Sequence, residues 1–300
     1  MKAVQFSEYG DPDVLRVVDV EEPHAATGQV RVAVKGAGVN PIDWKIRSGA
    51  VREAMPVELP KTPGFEVAGV VDEVGDDVAD VAVGDEVFGP AVGGAAAQYA
   101  LLNHYATKPE ALPWPEAAGL PVAVETTVRT FDLLGLESGH TILINGATGG
   151  VGLAAVQFAL ARGARVIGTA SEGNHEFLRS LGAEPTTYGD GLVERVRELA
   201  PNGVDRALDT AGRGALPDLV EITGNPDHVV TIADFTAAEH GVRITTGAEA
   251  WDALDEAARL YAAGSFTMPV AQTFTFEQAP DAHRISQEGH VRGKLVLVPD

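Results

Sequence analysis

The chain has 300 residues, with 22 Lys and Arg against 43 Asp and Glu, a formal net charge of −21 and 45% hydrophobic residues. That length suggests roughly two domains with ordinary cores, and so acidic a surface repels phosphate backbones and anionic membranes, so neither nucleic acid nor a membrane is an expected partner. With no cysteine in the sequence, disulfides, thiolate catalysis and sulfur-ligated zinc are excluded.

The opening stretch, MKAVQFSEYGDPDVLRVVDV, has no apolar leader-like run, and no segment approaches the length of a membrane span, so a soluble, cytoplasmic protein is expected. Up to about residue 110 the chain reads as strands: QVRVAVKGAGV, GFEVAGVVDEVG, GDEVFGP and AAQYALL alternate or run in short Val-rich stretches between Gly, Pro and Asp. The spacing suggests a compact barrel-like sheet. The Pro-rich crossing KPEALPWPEAAGLP then marks a domain boundary. From Thr126 the pattern changes to alternating helix and strand: TVRTFDLLGL as helix, HTILING as strand, GVGLAAVQFALARG as helix, ARVIGTAS as strand. Two further helices, NHEFLRSLG and GLVERVRELAP, precede the strands VDRALDTAG and HVVTIAD. Such βαβ units predict a doubly wound parallel sheet, an α/β fold. After the helix WDALDEAARLYAAGSF the tail reads strand, helix, strand, and GKLVLV is expected to return to the first domain. The expected division is therefore 1–112 with 265–300, and 113–264 between them.

The sharpest motif is the turn in TILINGATGGVGLAAVQF. Gly146, Gly149 and Gly152 are spaced G-x-x-G-x-x-G, with Gly150 as an extra. A strand enters the turn and a helix leaves it, which is the setting of a dinucleotide pyrophosphate cradle. Glycines let backbone N–H groups approach the phosphates, and the helix N-terminus favours their charge. The expected contacts are Gly146, Ala147, Gly149, Gly150, Val151 and Gly152. At the end of the next strand, where NAD sites place an acid, the chain reads IGTAS. A hydroxyl at Ser171 tolerates a 2′-phosphate, so NADPH is expected over NADH. Glu172 follows directly and argues the other way, and Ser171 also suits an N-cap.

Taken together, GVNPIDWKIRSG, PGFEVAGVV, VGDEVFG, NGATGGVG, FLRSLGA and VRGKLVLV resemble, in order and over nearly the whole chain, the zinc-free quinone oxidoreductase branch of the medium-chain dehydrogenase/reductase superfamily. The resemblance implies a GroES-like β-barrel catalytic domain built from both chain ends, a Rossmann domain between them, a cofactor cleft between the two, and a homodimer. Zinc-dependent members of that superfamily carry a Cys near the first motif and a G-H-E motif. This chain reads Val39-Asn40-Pro41 and Gly64-Phe65-Glu66 instead, so no zinc is expected and Glu66 reads as a structural acid. In the zinc-free relatives the Asn of GVN and a Thr opening the helix after the crossing face the nicotinamide; those positions are Asn40 and Thr127. Asn40 also reads as a turn residue before Pro41, and Thr126 competes with Thr127 for the helix N-cap. The resemblance further carries Ser171 and Tyr188 to the adenosine side of the cofactor and Lys294 to the cofactor cleft, while a surface Lys and an ordinary aromatic remain alternative readings.

Hydride transfer needs an electrophile held near the nicotinamide in a dry cleft. A quinone supplies its own oxygens as electron sinks and solvent protonates the product, which suits neutral groups such as Asn40 and Thr127. Asp43 and Lys45 read as an ion pair. The expected activity is NADPH-dependent reduction of a quinone or related α,β-unsaturated carbonyl. Two alternatives stand beside it. One is reduction of an enoyl thioester, disfavoured because SGAVREAMPVELP lacks the Tyr that related enoyl reductases place there. The other is a non-catalytic NADPH-binding redox sensor. Loops 45–60 and 234–250 are expected to line the substrate pocket.

Overall fold

The computed structural model describes residues 1–245 and 248–299. Thr246 and Gly247, in the 234–250 loop, and Asp300, in the expected 265–300 segment, lie outside the described residues.

The N-terminal strands follow the alternation of the sequence. β1 (Lys2–Gln5) and β2 (Arg16–Asp19) form a two-stranded antiparallel ribbon. β3 (Val30–Val39), β4 (Glu66–Val74), β5 (Glu86–Pro90), β6 (Tyr99–Leu102) and β7 (Ala106–Thr107) build a larger antiparallel sheet in which β3 pairs with both β4 and β6. Along β3, Val30, Val32 and Val34 alternate inward, but from Gly36 to Val39 both faces are buried. A short helix, α1 (Pro41–Arg47), breaks the expected all-β stretch directly after β3. Its start is written locally: Asn40 at the N-cap, Pro41 at the first helical position, and Asp43 at N3. α2 (Trp114–Ala118) lies on this sheet at Gly36, where a Cβ would come within 2.9 Å of the Ala118 methyl.

α3 (Pro121–Leu134) opens on a proline, upstream of the start expected at Thr126. The strands that follow are β8 (Thr141–Asn145), β9 (Arg165–Thr169), β10 (Glu184–Thr186), β11 (Arg206–Asp209), β12 (Val229–Thr231) and β13 (Arg243–Ile244), all parallel, in the order β10-β9-β8-β11-β12-β13. This is the doubly wound order whose direction reverses beside the first strand. α4 (Gly150–Ala161), α5 (His175–Ser180), α6 (Leu192–Leu199) and α7 (Leu216–Thr223) connect them. The sequence reading omits α7, although Pro217 stands in its first turn and Gly224 closes it in the left-handed conformation. Ile142, Leu143 and Ile144 of β8 are fully buried, as a central parallel strand requires.

The chain ends with α8 (Ala253–Ala262), β14 (Val270–Thr275), α9 (Ala279–Glu288) and β15 (Lys294–Val298). β15 returns to the first sheet, antiparallel to β3 and parallel to β14. The two compact units are Met1–Val122 with Trp251–Asp300, and Ala123–Ala250. These limits differ from the expected 112/113 and 264/265. The crossing carries α2, which packs on the first sheet, and α8 also belongs there: Trp251 stacks on His104 with ring centroids 6.0 Å apart, and the Tyr261 hydroxyl donates to the Ala111 carbonyl at 3.2 Å. Among the described residues no helix is long and apolar enough to cross a membrane.

Candidate active site

In the second unit the glycine turn is built as the sequence spacing demands. Gly146 takes a positive φ of 83° at the end of β8, and Gly149 caps α4, whose first helical residues are Gly150, Val151 and Gly152. A Cβ at Gly152 would collide with the Gly146 carbonyl oxygen and press on the Ala147 backbone, so the helix can start this close to the strand only with glycine there. Ala147 is fully buried and its N–H donates to the Thr169 carbonyl of β9 at 3.0 Å. The result is a backbone concavity at a helix N-terminus, where the first N–H groups have no intrahelical acceptor. A pyrophosphate fits such a cradle. Thr127 sits well inside α3 rather than at its N-cap: its fully buried hydroxyl donates to the Ala123 carbonyl at 2.8 Å and lies 3.4 Å from the Val151 carbonyl. It therefore neighbours the cradle with its hydrogen already engaged. Ser171 is exposed, caps the turn at Glu172–Asn174, and accepts from the Asn174 side chain at 3.1 Å. Tyr188 lies just beyond β10 and is 52% exposed.

In the first unit a second site forms around Asn40. The register pairs Leu295 with Val39 and Ala37 with Val67, which gathers Lys294, Asn40 and Glu66 at one end of three strands. The Lys294 ammonium donates to Asn40 Oδ1 at 2.5 Å and to Glu66 Oε1 at 2.7 Å. Asn40 Nδ2 donates to Glu66 Oε1 at 2.7 Å, and the Val122 N–H donates to Glu66 Oε2 at 2.7 Å. Room for the pair comes from two glycines: a Cβ at Gly38 would overlap the Glu66 carboxylate, and one at Gly119 would stand 2.9 Å from Lys294 Cγ. Glu66, Lys294, Asn40 and Asp43 are all buried. Asp43 completes half of a capping box, its Oδ2 accepting from the Asn40 N–H at 2.7 Å, while the Asp43 N–H is taken by the Asn40 backbone carbonyl. The Asn40 amide is thereby released from capping. Its oxygen accepts from an ammonium and one of its N–H groups donates to a carboxylate, which leaves the amide one N–H donor and one oxygen lone pair.

The structure thus brings Asn40 and Lys294 together, and Gly146 to Gly152 with Thr127. The expectation of a surface Lys at the start of an edge strand fails: β15 lies between β14 and β3, and Lys294 is 3% exposed. Asp43, read as the partner of Lys45, turns inward, where burial raises its pKa to about 7, the Glu66 charge acting in the same direction. Lys45 instead lies over the Trp44 ring, 5.9 Å from its centroid. Residues missed by the sequence reading are Asn145, Thr169, Asp209 and Thr231, each the last residue of its strand and each buried. The signal was present, since each closes an otherwise mostly apolar strand with a polar side chain.

Groups able to ligate a metal are few around Glu66. No cysteine exists, Phe65 precedes Glu66, the Glu66 charge is met by Lys294, and no group of three or more His, Asp or Glu able to hold a metal gathers among the described residues.

Comparison with known proteins gives the following likenesses. Residues 26–120 match the family model of the alcohol dehydrogenase GroES-like domain, and residues 181–297 match that of zinc-binding dehydrogenase. The chain is 33% identical over 316 residues to 2-methylene-furan-3-one reductase of Solanum lycopersicum, covering 100% of this chain and 79% of the relative. It is 31% identical over 318 residues to the chloroplastic NADPH-dependent alkenal/one oxidoreductase of Arabidopsis thaliana, covering 100% and 80%. Among solved structures, the quinone oxidoreductase from Coxiella burnetii superposes with a TM-score of 0.85 at 30% identity, covering 99% of each chain.

Proposed function

Because this chain belongs to the quinone oxidoreductase group of the medium-chain dehydrogenase/reductase family, we propose that it transfers a hydride from NADPH to a quinone or an α,β-unsaturated carbonyl, without zinc. The carrying observation is the buried Lys294–Glu66 pair bridged by Asn40. The cation that a buried Glu66 requires is part of the chain itself, and the cluster leaves an Asn40 N–H unspent. The names of the three relatives share one chemistry, a C=C bond or ring conjugated to a carbonyl, which supports this substrate class.

In this reading the N–H groups of Gly150, Val151 and Gly152 hold the pyrophosphate, with Gly146, Ala147 and Gly149 forming the turn, the Gly149 N–H donating to the Gly146 carbonyl at 3.1 Å. Ser171 and Tyr188 face the adenosine end, and the Ser171 hydroxyl leaves room for a 2′-phosphate. NADPH, when bound, supplies the hydride. The Asn40 N–H donates to a carbonyl oxygen of the substrate as negative charge develops there, with Thr127 and Lys294 holding their neighbours in place, and solvent delivers the proton. The test is NADPH oxidation across panels of quinones and enones, with NADH in parallel and zinc measured on the purified protein. Turnover with at least one acceptor, better with NADPH and without stoichiometric zinc, is expected. Tight NADPH binding with no turnover by any acceptor would leave a dinucleotide sensor instead.

A further inference from the structure

Asp209 closes β11 with a carboxylate that is fully buried and touches nothing in the proposed chemistry. Its Oδ1 accepts from Asn145 Nδ2 at 2.9 Å and from the N–H groups of Ala211 at 3.1 Å and Gly212 at 2.9 Å, and its Oδ2 accepts from the Thr231 hydroxyl at 2.7 Å. A carboxylate accepting this many hydrogen bonds fixes the direction of each one. Asn145 must turn its amide nitrogen toward Asp209, which leaves its Oδ1 to accept from the Thr169 hydroxyl at 2.7 Å. With its hydrogen spent there, Thr169 Oγ1 has only lone pairs to offer, and it accepts from the Gly146 N–H at 3.0 Å. Gly146 is the residue that bends the phosphate turn. On the other side, the Thr231 hydroxyl, oriented by the same carboxylate, accepts from the N–H groups of Ala233 at 3.1 Å and Asp234 at 3.0 Å. Across four adjacent strand ends the side-chain donations thereby converge on Asp209 from both sides.

We infer that Asp209 is a positioning residue for the dinucleotide: through Asn145 and Thr169 it sets the Gly146 turn, and through Thr231 it sets the turn after β12, without touching the cofactor. The inference rests on the NADPH-binding reading above. The links among Asp209, Asn145, Thr169 and Thr231 are buried hydrogen bonds whose loss leaves a polar group unsatisfied, and the relay predicts that its two ends act as one unit.

The experiment measures NADPH affinity and steady-state kinetics for wild type, Asp209→Ala, Thr169→Val, Thr169→Ser and the double variant Asp209→Ala with Thr169→Val, with circular dichroism and Tm confirming the fold. If Asp209→Ala does not hold its fold, Asn145→Ala, which cuts the relay one link later, replaces it in the cycle. The expected result is NADPH affinity about tenfold weaker in each single variant that cuts the relay, with kcat at saturating NADPH within about twofold. The double variant is no weaker than the worse single, and Thr169→Ser stays near wild type. Singles whose effects multiply in the double, or a loss confined to kcat, overturn the inference. A wild-type protein that binds no NADPH overturns the NADPH reading itself, a result distinct from any pattern among the variants.

Discussion

The carboxyl of Asp43 has one oxygen bonded to the Asn40 N–H and the other buried without a hydrogen-bond partner. Burial, with help from the Glu66 charge, raises its pKa from 3.8 to about 7 against the opposing pull of the Asn40 N–H and Lys294. Between those two values the folded chain binds a proton that the unfolded chain has lost, so stability falls as pH rises through this window. The full penalty is on the order of 4 kcal/mol. Asp43→Asn keeps the acceptor for Asn40 and removes the titration. Its Tm advantage over wild type is therefore expected to grow between pH 4.5 and pH 8, and a difference constant across that range would refute the assignment. In the second unit, Ser171 gives another expectation. Ser171→Asp places a carboxylate where NAD sites carry one, and the ratio of kcat/KM for NADPH over NADH is expected to drop at least tenfold, about 1.4 kcal/mol. An unchanged ratio in paired assays would place the 2′ position elsewhere.

At the scale of elements, β15 matters for what its first residue carries. Glu66 and Lys294 are both almost fully buried, and removing one partner of such a pair strands the other at a cost of about 3–5 kcal/mol. Lys294→Met is expected to lower stability by about that amount in denaturant unfolding, whereas Lys294→Met combined with Glu66→Gln recovers much of it; equal losses in the single and double variants would contradict the pairing. The elements themselves were largely readable from sequence. The glycine turn and the parallel sheet are written in local periodicity and turn chemistry, which depend on nearest neighbours. α1 and α7 escaped because each carries a proline in its first turn, Pro41 and Pro217, which reads as turn chemistry when the helix behind it is not in view. The Asn40–Glu66–Lys294 contact spans |i−j| of 228 between its charged members. Nothing in VRGKLV says which acid its Lys will meet; only the register of β15 on β3 decides that. Thr127 was misplaced within its helix for a different reason. Hydroxyl residues signal N-caps, but Pro121 starts the helix earlier and the Thr127 hydroxyl bonds back to Ala123 instead.

Over the whole molecule, a net charge of −21 is spread on a surface with few compensating cations. Self-repulsion of that size favours the expanded chain, and salt screens it. Tm is expected to rise by several degrees between about 0.1 M and about 2 M KCl, and a flat or falling Tm would show that the surface charge carries no such penalty. The division into one continuous unit and one made from both chain ends has a consequence for how the protein is made. As the chain leaves the ribosome, Ala123–Ala250 has every strand of its sheet in hand, while β3 waits with Ala37, Gly38 and Val39 unpaired on one side and Glu66 without its ammonium until residue 294 has been synthesised. The middle of the polypeptide can therefore mature before its beginning, and a nascent chain released at about residue 290 would carry a finished nucleotide-type sheet beside a half-built barrel seeking its final strand.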